Sequence, residues 1–129
     1  MTMYYAITMA AVFGMAIGAA AATGLTGRRT PKAYIVTEVD VTGDMEVFLR
    51  DYAAHAHRTV EPFGGHYLAR GGKSVGIEGD PPRGRIVISE FPSIENARAW
   101  RESPEYKKIC VVREREAKSR QYIVEGVSG

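Results

Sequence analysis

The sequence predicts one α+β domain: a four-stranded antiparallel sheet carrying two helical segments on one face, preceded by a hydrophobic amino-terminal helix. Three observations predict it. Four strand-length runs are rich in β-branched and aromatic residues, and two stretches place apolar residues at three- and four-residue spacing. Residues 1 to 27 contain no charged side chain, and "RRTPK" then follows at once. At 129 residues, 45% hydrophobic and 25% charged, the chain has enough apolar surface for one core and not two.

"KAYIVTEVDV", residues 32 to 41, is the first predicted strand, ended by the turn signal "TGD". Asp44 can cap a helix in which Met45, Phe48, Leu49, Tyr52, Ala56 and Val60 share one side until Pro62 and Gly64-Gly65 stop it. "HYLARGG" is a second strand running into a glycine-rich hairpin, and "RIVISEF" after "GDPPRG" is the third. Ser93 can cap a short helix through "IENARAW". Ser103-Pro104 restarts a helix whose buried stripe is Tyr106, Ile109, Val112 or Arg113, and Ala117. "QYIVEGV" is the fourth strand. The order β-α-β-β-α-β resolves most simply into a ferredoxin-like sheet. Along "AYIVTEV" and "RIVISEF" both side-chain parities are largely apolar, so the face away from the helices is expected to be covered by a second copy, giving a homodimer.

The apolar run from Tyr4 to Ala22 is near the length that crosses a bilayer, and its alanine-rich end also suits a signal peptide. Residues 1–27 are therefore expected to be a signal peptide or transmembrane anchor, residues 28–31 a linker and residues 32–127 the domain. The segment lacks the Lys or Arg that usually opens a cleaved leader, while Arg28, Arg29 and Lys32 would tend to hold its far end in the cytoplasm. Both an exported, periplasmic protein and a membrane-anchored one fit, with the topology open. Ala10, Gly14, Gly18 and Ala22 recur every fourth residue, a stripe along which two helices can approach.

The words "RGG" at 70–72, "EGD" at 78–80, "SEFPSIENARAW" at 89–100, "SPEY" at 103–106 and "SRQYIVEG" at 119–126 together resemble the domain-of-unknown-function 1330 family, within the dimeric α/β-barrel superfamily. The resemblance spans about residues 32 to 127. It implies the ferredoxin-like fold and dimerisation back to back through the sheets, and some members carry a similar alanine- and glycine-rich leader. It implies no reaction.

The net charge of +2 does not mark a nucleic-acid surface, and no nucleic-acid partner is expected. A single cysteine, Cys110, excludes an intramolecular disulfide. All three histidines lie within "HAHRTVEPFGGH", residues 55–66. On a regular helix His55 and His57 point about 200° apart, so no metal site is expected. His55 falls at the edge of the apolar stripe, facing a pocket, while His57 falls on the solvent side. "ARGGKSVGIEGD" precedes a strand rather than a helix and fits a hairpin, not a phosphate cradle, so no cofactor is expected.

By strand alternation Arg70 shares a face with His66 and Leu68 and needs an anionic partner, while Glu90 and Glu38 are carboxylates in apolar strands. One outcome is a structural Arg70–Glu90 pair. The other is a pocket in which Arg70 binds an anionic group, His55 or Glu90 moves a proton, and Tyr52 and Trp100 form apolar walls. The expected partner is then an unidentified small molecule, and the competing function is a non-catalytic dimeric module, exported or membrane-anchored.

Overall fold

The computed structural model describes residues 29–128, so the expectations for residues 1–27 lie outside the described residues. Among the described residues no helix is long and apolar enough to cross a membrane. Strand β1 is Ala33–Val41. It leads through a turn to α1 (Met45–Val47), a π-helical turn (Phe48–Ala53), α2 (Ala54–Val60) and a 3-10 turn (Glu61–Phe63). Strands β2 (His66–Arg70) and β3 (Arg85–Phe91) follow, then α3 (Ile94–Glu102), α4 (Pro104–Glu116) and β4 (Ala117–Glu125). The strands lie in the order β2-β3-β1-β4, all neighbours antiparallel. This is the β-α-β-β-α-β arrangement expected from the sequence pattern.

The helix starts follow side-chain chemistry. Asp44 accepts the Val47 N–H, Ser93 accepts that of Asn96 and Ser103 that of Tyr106, each filling a backbone donor that the first turn leaves open. Alternate β1 residues Ala33, Ile35, Thr37 and Val39 are buried under the helices. An aromatic chain runs through that layer: Phe48 to Tyr52 at 5.3 Å, Tyr52 to Tyr106 at 6.1 Å, Tyr106 to Trp100 at 4.2 Å and Trp100 to Phe91 at 5.5 Å between ring centroids. Each fully buried ring or branched side chain contributes about 1.5–3 kcal/mol from burial.

Three local features differ from the regular pattern. First, the helix after Asp44 passes through a π turn, with the Ala54 N–H reaching back to the Leu49 carbonyl. The wider turn keeps Phe48, Tyr52, Ala56 and Val60 in line at four-residue spacing, and leaves Met45 and Leu49 exposed rather than on the buried stripe. Second, β2 is bulged between Tyr67 and Ala69: His66 pairs with Glu90 and Tyr67 with Ser89, but Ala69 pairs with Ile88 and Arg70 with Val87. Regular secondary structure also stops at Arg70, so "GG" and the following residues form an irregular loop rather than an extended hairpin. Third, α4 ends at Glu116 and β4 begins directly at Ala117, so Ala117 is a buried strand residue, and the helical stripe is Tyr106, Cys110 and Arg113 with Ile109 and Val112 partly buried beside them.

Candidate functional site

The bulge at Leu68 decides which side chains meet. One extra residue switches the parity of β2, so Arg70 lies on the helix-facing side with Tyr67, while His66 lies on the outer side. The expected shared face of His66 and Arg70 is therefore absent, and so is the Arg70–Glu90 pair. Glu90, whose side chain is 13% exposed, instead receives Lys32 Nζ at 2.9 Å and lies 3.7 Å from His66 Nε2, all on the outer side. Glu38 is paired there with Arg120 across β1 and β4.

On the helix-facing side, the cross-strand row Arg70–Val87–Thr37–Gln121 spans all four strands, flanked by Ser89 and Arg85. These residues form the floor of a slot between sheet and helices. Phe48, Tyr52, Ala53, Ala56 and Trp100 form its roof, and Tyr67 one side. The slot encloses about 30 Å³, and about 470 Å³ of free space when its mouth is included. Gln121 Nε2 donates to Thr37 Oγ1 at 3.0 Å, which fixes the far end of the floor. The result is an apolar roof over a few convergent polar groups, the lining chemistry of a small-molecule pocket in an enclosed volume well below the roughly 300–1,000 Å³ such pockets have.

Arg70 donates from Nη2 to the Ala53 carbonyl, in the π turn, and its guanidinium stacks 4.8 Å from the Tyr67 ring centre. Arg85 lies 5.6 Å from the Phe48 ring centre. Its guanidinium covers Gly71, where φ of +67° favours glycine and where a Cβ, 2.7 Å from Nη2, would push the flexible Arg85 side chain aside. Among the described residues neither arginine forms an ion pair, and no Asp, Glu or His lines the slot.

The phenols of the slot are held neutral. Burial pushes Tyr52 well above the ordinary tyrosine value, and its hydroxyl shares a 2.7 Å hydrogen bond with that of Tyr106. Burial likewise raises Tyr106 and Tyr67; the nearby Arg113 and Arg70, respectively, counteract part of the rise. Trp100 donates from Nε1 to Thr59 Oγ1 at 2.9 Å, and Thr59 in turn donates to the Ala56 carbonyl at 2.6 Å. Trp100 is thus both core and slot wall.

Of the sequence candidates, Arg70, Tyr52 and Trp100 converge on the slot and His55 and Glu90 do not. His55 is exposed, because the π turn shifts the helix beyond it. His57 is the half-buried histidine, bordering with His66, Glu61, Tyr67 and Arg70 a shallow depression outside the slot. Arg85 and Tyr67 are slot residues that alternation could have found: Arg85, Val87 and Ser89 share one parity in "RIVISEF". Among the described residues no group of three His, Cys, Asp or Glu side chains is arranged to hold a metal ion.

The sheet order, the single helix layer and the slot between them define the ferredoxin-like α+β class. Residues 32–127 match the family model "Domain of unknown function (DUF1330)", and the chain belongs to that family. A protein of unknown function from Rhodopseudomonas palustris has a similar structure, with a TM-score of 0.61 and 17% identity over 84% of this chain and 92% of that one. SnoaB, a cofactor-independent oxygenase from Streptomyces nogalater, is similar with a TM-score of 0.56 and 13% identity over 78% of this chain and 97% of its own. At these identities the likeness is one of fold. No curated protein matches the chain.

Proposed function

We propose that the domain is a small-molecule-binding protein, of the kind that also supports cofactor-independent catalysis, and that its ligand is an acidic aromatic or polyketide-like compound held in the slot. The observation that carries this reading is the pair of guanidiniums, Arg70 and Arg85, bordering a slot with no carboxylate in its lining. Arg70 stands exposed at the mouth of the slot and Arg85 is half-buried, so a carboxylate, enolate or phenolate gains most from these cations where the apolar roof excludes water. Arg70 needs only to exchange a neutral backbone acceptor, the Ala53 carbonyl, for a charged one. With neither carboxylate nor imidazole in the lining, the slot suits a compound that arrives ionised or loses its proton readily. The fold shared with a cofactor-independent oxygenase agrees with this reading.

The assembly belongs to the same proposal. On the outer face the row Ala69–Ile88–Val36–Tyr122 crosses all four strands and adjoins Tyr34, Val124 and Ile86, with the Glu38–Arg120 and Lys32–Glu90 pairs beside it. An apolar centre flanked by paired charges is the anatomy of a protein interface, and a second copy of the sheet is its occupant. The leader at residues 1–27 would place this dimer outside the cytoplasm or at a membrane.

A thermal-shift screen of aromatic acids and enolisable aromatic ketones against wild type and Arg70→Ala tests the binding reading. A slot ligand raises the melting temperature of wild type and has little effect on the variant. The small enclosed volume, about 30 Å³, favours the second reading, a non-catalytic dimeric module whose polar strand residues hold geometry only. A library that stabilises neither protein supports that alternative.

A further inference from the structure

A second cavity, larger and more open than the slot, lies along the β4 edge, with a volume of about 540 Å³. Arg101 and Arg113 from the helices border it, with Ser119 and Gln121 from β4 and an apolar side formed by Ile35 and Ile123. Gln121 also borders the slot and so stands as the wall between the two.

Arg113 is unusual for a guanidinium. It is only 4% exposed, yet among the described residues it has no carboxylate partner, and its buried Nε has no hydrogen-bond partner at all. Its Nη2 reaches the Cys110 thiol at 3.4 Å, the Tyr106 hydroxyl is a second neutral hydrogen-bonding neighbour, and its Cζ lies 5.8 Å from the Tyr52 ring centre. Burial opposes its charge, yet the guanidinium stays protonated by its own basicity, and the oxygen and sulfur atoms of Tyr106, Tyr52 and Cys110 around it keep its pKa above the ordinary arginine value. Glu114, a carboxylate that also borders the recess, accepts a 3.4 Å contact from Cys110 Sγ rather than an ion pair from Arg113. A buried cation left in this state is costly unless an anion completes it.

The second cation is positioned. Arg101 donates from Nε to Gln121 Oε1 at 2.7 Å, and its guanidinium lies 5.2 Å from the Tyr106 ring centre. Gln121 is itself tied to Thr37, so a strand-anchored amide sets the direction of the Arg101 fork.

We propose that the β4-edge recess is a binding site for a small organic carboxylate with an apolar body, separate from the slot. Arg101 and Arg113 hold the carboxylate, for which the planar guanidinium fork is the matching donor. The Ser119 hydroxyl supplies a further donor, and Ile123, backed by the buried Ile35, covers the apolar body.

Titration calorimetry of the full chain with benzoate, benzyl alcohol and inorganic phosphate tests the assignment. Benzoate is expected to bind wild type and Arg70→Ala alike, and at least roughly tenfold more weakly to Arg101→Gln, with no measurable binding to Arg113→Met. Benzyl alcohol and phosphate are expected to bind wild type at least roughly tenfold more weakly than benzoate. Methionine replaces the unpaired buried cation with a flexible apolar chain, so Arg113→Met is expected to melt no lower than wild type. Arg101→Gln provides the same test should that variant not fold. No heat with benzoate, an affinity unchanged in Arg101→Gln, or phosphate binding as tightly as benzoate would overturn the proposal. Benzoate binding lost in Arg70→Ala but kept in Arg101→Gln would also overturn it, by placing the ligand in the slot.

Discussion

The two faces of the sheet treat charge differently. On the outer face Glu38 meets Arg120, and Glu90 meets Lys32 and His66, so each of these carboxylates is balanced within the chain. On the helix-facing side Arg70, Arg85 and Arg113 border cavities with no carboxylate bound to any of them among the described residues. Balanced pairs of the first kind hold register between strands and contribute little net energy. A buried unbalanced cation such as Arg113 costs stability, and that cost is offset when an anion arrives, whereas the more exposed Arg70 and Arg85 are free to pair with an anion at little cost. The difference separates the charges that serve the fold from those that serve a ligand.

Four changes break or sharpen the contrast, in falling order of effect. Trp100→Ala removes a slot wall, two aromatic neighbours and the bond to Thr59, and is expected to destabilise by about 3–5 kcal/mol in urea denaturation. Val36→Asp sets a charge in the middle of the outer apolar row. It is expected to cost the proposed dimer about 2–3 kcal/mol, seen as a shift toward monomer in light scattering, with the monomer still folded. Glu90→Gln, on the same face, is expected to cost no more than about 1 kcal/mol and to leave slot ligands bound as before.

The smallest effect concerns acid stability. The Asp44 N–H and then Arg115 hold the Glu116 carboxyl below its ordinary value of 4.5. A depressed folded-state value stabilises the fold above pH 4.5, and the effect is lost as pH falls through that lower value. The urea midpoints of wild type and Glu116→Gln are therefore expected to differ slightly near neutrality and to converge below pH 4.5.

Most of the fold was legible in the sequence because its signals are local. The cap residues Asp44, Ser93 and Ser103, the strand runs and the Pro62–Gly65 stop each act within a few positions. The site was legible only in part, because two one-residue irregularities set its membership. The β2 bulge moved Arg70 away from His66 and Glu90 and onto the slot, and the π turn removed His55 from it. Neither leaves a composition signal, since "HYLAR" and "FLRDYA" suit a regular strand and a regular helix equally well. The choice between Val112 and Arg113 was likewise open to spacing alone. Packing against Tyr52 and Tyr106 makes Arg113 the fully buried one, with Val112 partly buried against the same core.

The most direct test of an anion-binding slot uses the chain's single tryptophan, Trp100, which lies in the slot wall. Its fluorescence is to be followed while an aromatic acid that stabilises both wild type and Arg101→Gln in a thermal-shift screen, and so does not depend on the β4-edge recess, is titrated into wild type, Arg70→Ala and Arg101→Gln. A saturable change in wild type, at least roughly tenfold weaker in Arg70→Ala and unaltered in Arg101→Gln, is the predicted result. Equal affinity in wild type and Arg70→Ala would contradict it.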